Sequence, residues 1–134
     1  VYDMEDLRAR TRRMTGFLRA HVQANPGRPV FAMGYSNGAN ILASVMFEAP
    51  DLFDRAVLMH PLIPWTPAPQ PGLAGRQVLL TAGGRDPICP LPQTEALADW
   101  LRAQGARLDL ALHDGGHEIT QPELEAVAGF LRRA

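Results

Sequence analysis

One pentapeptide, Gly34-Tyr35-Ser36-Asn37-Gly38, constrains the fold of this chain more than any other stretch. It follows an apolar run at residues 29–33 and leads into a helix-forming segment at residues 39–47. A strand, G-x-S-x-G and a helix in this order are typical of a sharp turn that holds a serine hydroxyl above a parallel sheet. The two glycines are expected to prevent Cβ collisions where the turn brings strand and helix together. The pattern therefore predicts that Ser36 is presented as a nucleophile.

Alternating strand and helix patterns fill the rest of the chain. Strands are predicted at residues 29–34, 55–60, 77–82 and 106–112, and helices at residues 1–25, 39–49, 91–104 and from 121 onward. The first helix is expected to have an apolar stripe formed by Met4, Leu7, Met14, Phe17, Leu18 and Val22. The last helix begins with a Thr120–Glu123 capping box and is expected to bury Leu124, Val127, Ala128 and Leu131. This alternation predicts an α/β fold, a parallel sheet of about four strands with flanking helices.

Composition and length limit the possible partners and compartments. The 134 residues correspond to one domain, 1–134, and a net charge of -1 provides no basic face for nucleic acid or anionic lipid. No apolar run approaches the roughly 18 residues that a membrane span needs. The single cysteine, Cys89, cannot form an internal disulfide and is interpreted as a packed residue. We therefore expect a cytoplasmic protein that binds neither nucleic acid nor membrane.

Three side chains with complementary chemistry follow the ends of three different strands. Ser36, Asp86 and His117 lie where the carboxyl ends of parallel strands meet at one edge of the sheet. A serine hydroxyl becomes a good nucleophile when a neighbouring base removes its proton. His117 is the predicted base and Asp86 the group that orients it, in the chain order Ser, Asp, His. His113 and Asp114 are the rival base and acid.

Other residues near these loops have candidate roles. The backbone N–H of Asn37 is the predicted first donor of an oxyanion hole, whose second donor would come from a loop upstream of the first helix. A metal site is the disfavoured alternative, because Gly115 and Gly116 interrupt the helix that would align its ligands. Its ligands would be His113, Asp114, His117 and Glu118. Substrate contacts are expected from Tyr35, His60, Ile63, Trp65 and Ile88, with Ile63 and Trp65 in the proline-rich loop 61–72.

The chain resembles the C-terminal part of an α/β-hydrolase of the carboxylesterase/phospholipase (dienelactone-hydrolase-like) family. The resemblance rests on the sharp turn that carries the serine, called the nucleophile elbow, at residues 34–40. It also rests on the segments 57–61, 82–88 and 115–117. It implies a serine esterase with the triad Ser36, Asp86 and His117, which acts on small carboxylic esters without a cofactor. Dienelactone hydrolases proper have cysteine at the elbow, so serine indicates the esterase branch.

The resemblance also implies that part of the family's fold would precede Val1. The last four strands of the family's sheet are neighbours, so they can form a half-sheet. Strand 29–34 would then be an apolar edge, and we expect it to pair with a second copy or with an additional N-terminal segment. Two alternative functions stay open: a catalytically incompetent fragment or interaction module without the oxyanion loop, and a thioesterase or lysophospholipase-type hydrolase.

Overall fold

Four parallel strands form one sheet in which the order of the strands follows the chain. The computed structural model describes residues 3–63 and 65–133, so the predicted helix start at Val1 and Pro64 of the proline-rich loop lie outside the described residues. The strands are β1 (Phe31–Tyr35), β2 (Arg55–Met59), β3 (Gln77–Gly83) and β4 (Arg107–His113). The helices are α1 (Met4–Ala24), α2 (Asn37–Glu48), α3 (Leu91–Ala103) and α4 (Gln121–Arg132), with short 3₁₀ turns at Pro50–Leu52 and Pro71–Leu73. The predicted α/β half-sheet is confirmed.

The helices cover both faces of the sheet. On one face, α2 and α3 contribute to the larger core cluster, and α1 packs against α2. On the other face, Val127 and Phe130 of α4 pack on Val57, Met59 and Leu79. Strand β2 is buried along its whole length, because both of its faces are covered, as its continuous apolar sequence predicts. No helix among residues 3–63 and 65–133 is long and apolar enough to cross a bilayer.

The two outer strands differ in how well they are covered. Strand β4 is an edge strand with intermediate burial at most positions, as its alternating sequence predicts. Strand β1 is the other edge of the described sheet, and its side chains Phe31 and Met33 are 46% and 55% exposed. An exposed apolar edge strand is a template for pairing with another polypeptide.

The buried face of α1 differs from the predicted stripe. Leu7 and Thr11 are its buried residues, whereas Met14 and Phe17 are exposed. The buried position of Thr11 is tolerated because its hydroxyl donates a hydrogen bond to the carbonyl of Leu7 at 2.6 Å. The acidic residues before the helix act as predicted, since Asp3 caps its N-terminus.

The buried face of α4 is also rotated from the predicted one. The predicted capping box between Thr120 and Glu123 is present, but the buried residues are Glu123, Val127 and Phe130, and Leu124 is exposed. The sequence pattern failed here because a carboxylate occupies an inward position, which apolar periodicity does not anticipate. That carboxylate is buried and accepts a hydrogen bond from the hydroxyl of Thr81.

Candidate active site

The turn at Ser36 joins β1 to α2 in a strained conformation. Ser36 has φ 55° and ψ −118°, and Asn37 is the first residue of α2. A Cβ on Gly34 would lie 2.6 Å from the carbonyl carbon and oxygen of Gly38, so only glycine fits at that position. The predicted steric role of Gly38 is wrong, because a Cβ there would meet no atom within 4 Å. Only the first glycine of the pentapeptide is required by close packing.

The structure brings the side chains of Ser36, His117 and Asp86 into one hydrogen-bonded chain. His117 Nε2 lies 2.8 Å from Ser36 Oγ, and His117 Nδ1 lies 2.6 Å from Asp86 Oδ2. An ionised carboxylate can only accept, so Nδ1 carries the proton and Nε2 accepts from the serine hydroxyl. The imidazole is therefore held in the tautomer that can remove a proton from Ser36.

Asp86 is a buried carboxylate that accepts four hydrogen bonds. Oδ1 accepts from the backbone N–H groups of Ile88 at 2.8 Å and Cys89 at 2.9 Å. Oδ2 accepts from His117 and, on its other side, from His60 Nδ1 at 3.0 Å. Burial raises the pKa of Asp86, but the hydrogen bonds from His117, Cys89, His60 and Ile88 outweigh burial and lower the pKa to about 2. Asp86 is therefore ionised at neutral pH.

The loop that carries His117 is fastened to the turn that carries Asp86. The N–H of Gly84 donates to the carbonyl of His113 at 2.8 Å, and the N–H of Arg85 donates to the carbonyl of Gly115 at 3.0 Å. These bonds extend the pairing of β3 and β4 beyond the sheet. The position of His117 relative to Asp86 is thus set by backbone geometry.

Two further contacts hold this loop. A Cβ on Gly83 would collide with the carbonyl oxygens of Gly115 and Gly116, so the loop lies directly on the backbone of β3. From β1, the hydroxyl of Tyr35 donates to the carbonyl of His117, and the two rings lie 5.2 Å apart between centroids. Tyr35 therefore contacts the predicted base, and its predicted contact with substrate stays a prediction.

The rival base and acid lie elsewhere. Asp114 is exposed, whereas the carboxylate bonded to His117 Nδ1 is that of Asp86. His113 points to the interior, where its Nδ1 accepts from the N–H of Gly115 at 2.9 Å and its Nε2 lies 3.3 Å from Glu123 Oε1. Both nitrogens of His113 are thus engaged away from the serine.

Sequence reasoning missed Glu123, a buried carboxylate on the far side of His60. Its Oε2 lies 2.8 Å from His60 Nε2 and accepts from the hydroxyl of Thr81, and its Oε1 accepts from the N–H of Thr120 at 3.2 Å. Burial raises the pKa of Glu123, but hydrogen bonds from Thr81, His60 and Thr120, and the charge of His60, hold it below its ordinary value. The capping-box pattern predicts this acid at the helix start and gives no signal of its inward direction.

The prediction that His60 contacts substrate is wrong. Its side chain is 0% exposed and lies between Asp86 and Glu123. Its backbone has φ 53°, so Ser36 and His60 are the two residues other than glycine with positive φ in the described part of the chain. Backbone strain of this kind is concentrated at functional sites.

The predicted substrate contacts of Ile63 and Trp65 also need correction. Ile63 is buried in the core, and Trp65 packs edge-on against Phe47 at a centroid distance of 6.3 Å. Phe47 lies ten residues beyond Asn37 on α2, about 15 Å along the helix and away from the serine end. Ile88, in contrast, is 56% exposed beside Asp86, so a substrate contact there stays a prediction.

Metal ligation and thiol chemistry have less support from the geometry than the hydrogen-bonded chain. Within the described residues, two groups have ligand atoms close enough for one ion: His60, His113 and Glu123, and His60, Asp86 and His117. The predicted alternative set of ligands is neither of these. Direct donor–acceptor contacts of 2.6 to 3.0 Å already join His60 and His117 to the two carboxylates. Cys89 is buried, and burial followed by the charge of Asp86 raises the pKa of its thiol to about 11.

A parallel sheet with a serine, a histidine and an acid at the carboxyl ends of its strands defines the α/β-hydrolase class. The chain belongs to the dienelactone hydrolase family, whose model matches residues 4–128. It is 41% identical over 138 residues to "Putative hydrolase MhqD" of Bacillus subtilis (strain 168), covering 100% of this chain and 68% of that protein.

Two solved structures are similar to this chain in sequence and fold. The protein Atu2452 of Agrobacterium tumefaciens str. C58, whose function is unknown, is 51% identical, with a TM-score of 0.89 over 98% of this chain and 64% of that one. A Bacillus cereus carboxylesterase is 34% identical, with a TM-score of 0.86 over 97% and 62% of the two chains. The present chain thus spans less than two thirds of these two structures, and its family is that of hydrolases similar to carboxylesterases.

Proposed function

We propose that this protein is a serine carboxylesterase that hydrolyses small carboxylic esters. The observation that supports the proposal is the contact of 2.8 Å between Ser36 Oγ and His117 Nε2, with His117 Nδ1 bonded to the ionised Asp86. Family membership and the similarity to a Bacillus cereus carboxylesterase support a hydrolase. Ser36, His117 and Asp86 are the proposed nucleophile, base and orienting acid.

In the proposed reaction, His117 Nε2 takes the hydroxyl proton as Ser36 Oγ bonds to the ester carbonyl carbon. The tetrahedral intermediate collapses, the C–O bond to the alcohol breaks, and His117 returns the proton to the leaving alcohol. A water molecule then gives a proton to His117 and attacks the acyl carbon. The bond between that carbon and Ser36 Oγ breaks, and His117 returns the proton to Oγ as the acid leaves. Asp86 stabilises the imidazolium that forms in both halves, and no external cofactor enters the balance.

The proposed oxyanion hole begins at the N-terminus of α2. Asn37 is the first residue of that helix, where N–H groups and the helix dipole favour negative charge. The second donor is proposed to come from polypeptide corresponding to the part of the relatives that this chain does not match. We propose that the same polypeptide adds a strand to the edge of β1, where Phe31 and Met33 are exposed.

Substrate contacts are proposed at Tyr35, whose ring lies beside that of His117, and at Ile88. Ile88 offers an exposed apolar side chain next to Asp86, which suits the acyl or alkyl part of an ester. The cytoplasmic location stays a proposal, with the buried thiol of Cys89 in favour of a reducing compartment.

Labelling with an activated phosphonate ester tests the proposal. We expect a covalent adduct on Ser36, identified by peptide mass spectrometry, and no adduct on the Ser36→Ala variant. Ser44 in α2 provides a matched control, because Ser44→Ala removes a buried serine seven residues along the helix from Asn37 and should leave labelling unchanged. The same measurements are made on the chain alone and on the chain completed with the additional segment of a relative.

Completion should also raise the turnover of p-nitrophenyl acetate, by about 10²-fold or more if it supplies an oxyanion donor. An adduct that persists after Ser36→Ala would exclude Ser36 as the nucleophile. Absence of both labelling and turnover in the completed protein would favour the second candidate, a non-catalytic module. Equal turnover by the two forms would contradict the proposed source of the second donor.

A further inference from the structure

A buried histidine connects the proposed triad to a second buried carboxylate. His60 Nδ1 lies 3.0 Å from Asp86 Oδ2, and His60 Nε2 lies 2.8 Å from Glu123 Oε2. The side chains of all three residues are 0% to 1% exposed. The interaction therefore takes place without competition from solvent.

Counting donors and acceptors fixes the proton inventory of this arrangement. Each ring nitrogen of His60 faces a carboxylate oxygen, and an ionised carboxylate can only accept. Both nitrogens must therefore donate, which requires a protonated imidazolium. A singly protonated ring would leave a nitrogen lone pair directed at a carboxylate oxygen, unless that carboxylate carried the proton.

We propose that His60 and Glu123 are positioning residues for Asp86: the imidazolium of His60 orients Asp86 Oδ2 toward His117, and Glu123 balances the charge of that imidazolium. This inference rests on the proposed esterase function. Without Glu123, His60 would keep a single ring proton and would no longer be a charged donor that holds Asp86 Oδ2 toward His117. With Glu123, two carboxylates and one imidazolium leave one net negative charge for His117.

The surroundings of His60 agree with this role. Its carbonyl accepts from Cys89 Sγ at 3.1 Å and its N–H donates to the carbonyl of Thr81 at 3.0 Å, so the residue is held at positive φ from two sides. The lowered pKa values of Asp86 and Glu123 keep both carboxylates ionised. The titratable side chains that face the His60 ring are Asp86, Glu123, His113, His117 and Tyr35.

Nitrogen-15 NMR of labelled histidine in the 134-residue chain tests the proposal without enzymatic turnover. Near pH 7 we expect both ring nitrogens of His60 to carry protons, and the signal is assigned by its loss in His60→Asn. In Glu123→Gln we expect one ring nitrogen of His60 to be unprotonated at the same pH. Glu125→Gln, two residues along α4 and exposed, is the matched control and should leave the spectrum unchanged.

The rate of Ser36 phosphonylation is the second measurement. Loss of a hydrogen bond to a charged group predicts a decrease of roughly 10-fold to 100-fold in Glu123→Gln. The decrease should appear in the limiting rate rather than in the half-saturating phosphonate concentration, because Glu123 does not touch the reagent. If the wild type is not labelled at Ser36, the proposed function fails while the NMR experiment still decides the protonation of His60.

Three outcomes would overturn the inference. The first is a singly protonated His60 in the wild type, a result that does not depend on any variant folding. The second is a folded Glu123→Gln variant with unchanged His60 protonation and labelling. The third is that the Nε2 atoms of His60 and His113 carry no protons until a chelator is added. That result would make the cluster of His60, His113 and Glu123 a metal site.

Discussion

Two buried carboxylates, Asp86 and Glu123, have nearly the same local chemistry and lie on opposite sides of the His60 ring. Each receives hydrogen bonds from two histidines, and they share His60. Beyond Asp86, His117 reaches the hydroxyl of Ser36 at the rim of the sheet. Beyond Glu123, His113 uses its other ring nitrogen, Nδ1, to accept from the backbone N–H of Gly115. An acid–histidine pair is therefore not a catalytic unit by itself.

The two acid–histidine pairs differ at the histidine ring nitrogen that does not contact the carboxylate. His117 is 20% exposed and lies on a glycine loop, so that an ester could approach its Nε2. His113 is 9% exposed and closes onto its own loop through the N–H of Gly115. In the proposed mechanism, the side of Asp86 therefore takes part in proton transfer and the side of Glu123 fixes charge.

Asp86→Asn is expected to have the largest effect on the labelling of Ser36. An amide at this position cannot hold His117 in the tautomer that accepts from Ser36, so we expect Ser36 phosphonylation to fall by about 10³–10⁴-fold. The measurement is the second-order rate constant of labelling near neutral pH. Asp114→Asn, an exposed acid close in sequence to the same histidine, is the control and should retain the wild-type rate. A loss of similar size in the control would revive Asp114 as the orienting acid.

The same substitution should change stability at acidic pH. The pKa of Asp86 is about 2 in the fold against an ordinary value of 3.8, so its ionised form stabilises the fold above about pH 4 and that contribution is lost as the pH falls toward 2. The shift corresponds to roughly 2 kcal/mol of unfolding free energy. Chemical unfolding across this pH range should show a shallower decline in Asp86→Asn than in the wild type. An unchanged decline would mean that other carboxyl groups control acid unfolding.

The sequence predicts one side of this comparison far better than the other. The pentapeptide around Ser36 and the chain order of serine, acid and histidine indicate the Asp86 side, because each residue follows a buried strand in a recognisable loop. The Glu123 side carries no comparable signal. Glu123 satisfies a capping box, and apolar periodicity predicts Leu124 as the buried neighbour. The side chain that the first turn of α4 buries depends on partners such as His60 and Thr81, which are distant in sequence.

The fold shows the same division between local and distant information. The burial of β2 and the partial exposure of β4 follow from apolar patterns within single segments, whereas the order of the strands was expected from the family resemblance. The stripe of α1 does not, because Met14 and Phe17 lie at helical spacing and still are exposed. The position of Trp65 was equally unpredictable, since its packing against Phe47 joins a loop to the far end of α2.

Gly83→Ala should separate the two sides by moving the His117 loop. The new Cβ would collide with the carbonyl oxygens of Gly115 and Gly116, which are backbone atoms and must shift. A displacement of about 1 Å at a catalytic group costs on the order of 10²-fold in rate, so we expect that decrease in labelling of Ser36. Gly129→Ala is the control, because a Cβ there meets no atom within 4 Å. This control should label normally and gain about 1 kcal/mol of stability from helix propensity.

Tyr35→Phe is expected to have the smallest effect on the labelling of Ser36. It tests whether the Asp86 side can be changed without a change at His60. The hydroxyl of Tyr35 donates to the carbonyl of His117, and burial and then the charge of Asp86 raise its pKa, so it stays a donor at neutral pH. Removing one such bond costs about 1 kcal/mol, which predicts roughly a fivefold slower labelling of Ser36. Tyr35→Leu should be slower still, because it also removes the ring that lies 5.2 Å from the ring of His117.

Neither Tyr35 variant should alter the protonation of His60 in the NMR spectrum. The ring of His60 lies 5.7 Å from that of Tyr35, but no hydrogen bond joins them within the described contacts. Equal labelling by Tyr35→Phe and the wild type would show that backbone bonds alone position His117. A change in His60 protonation would instead show that Tyr35 acts on the His60–Glu123 side as well as on His117.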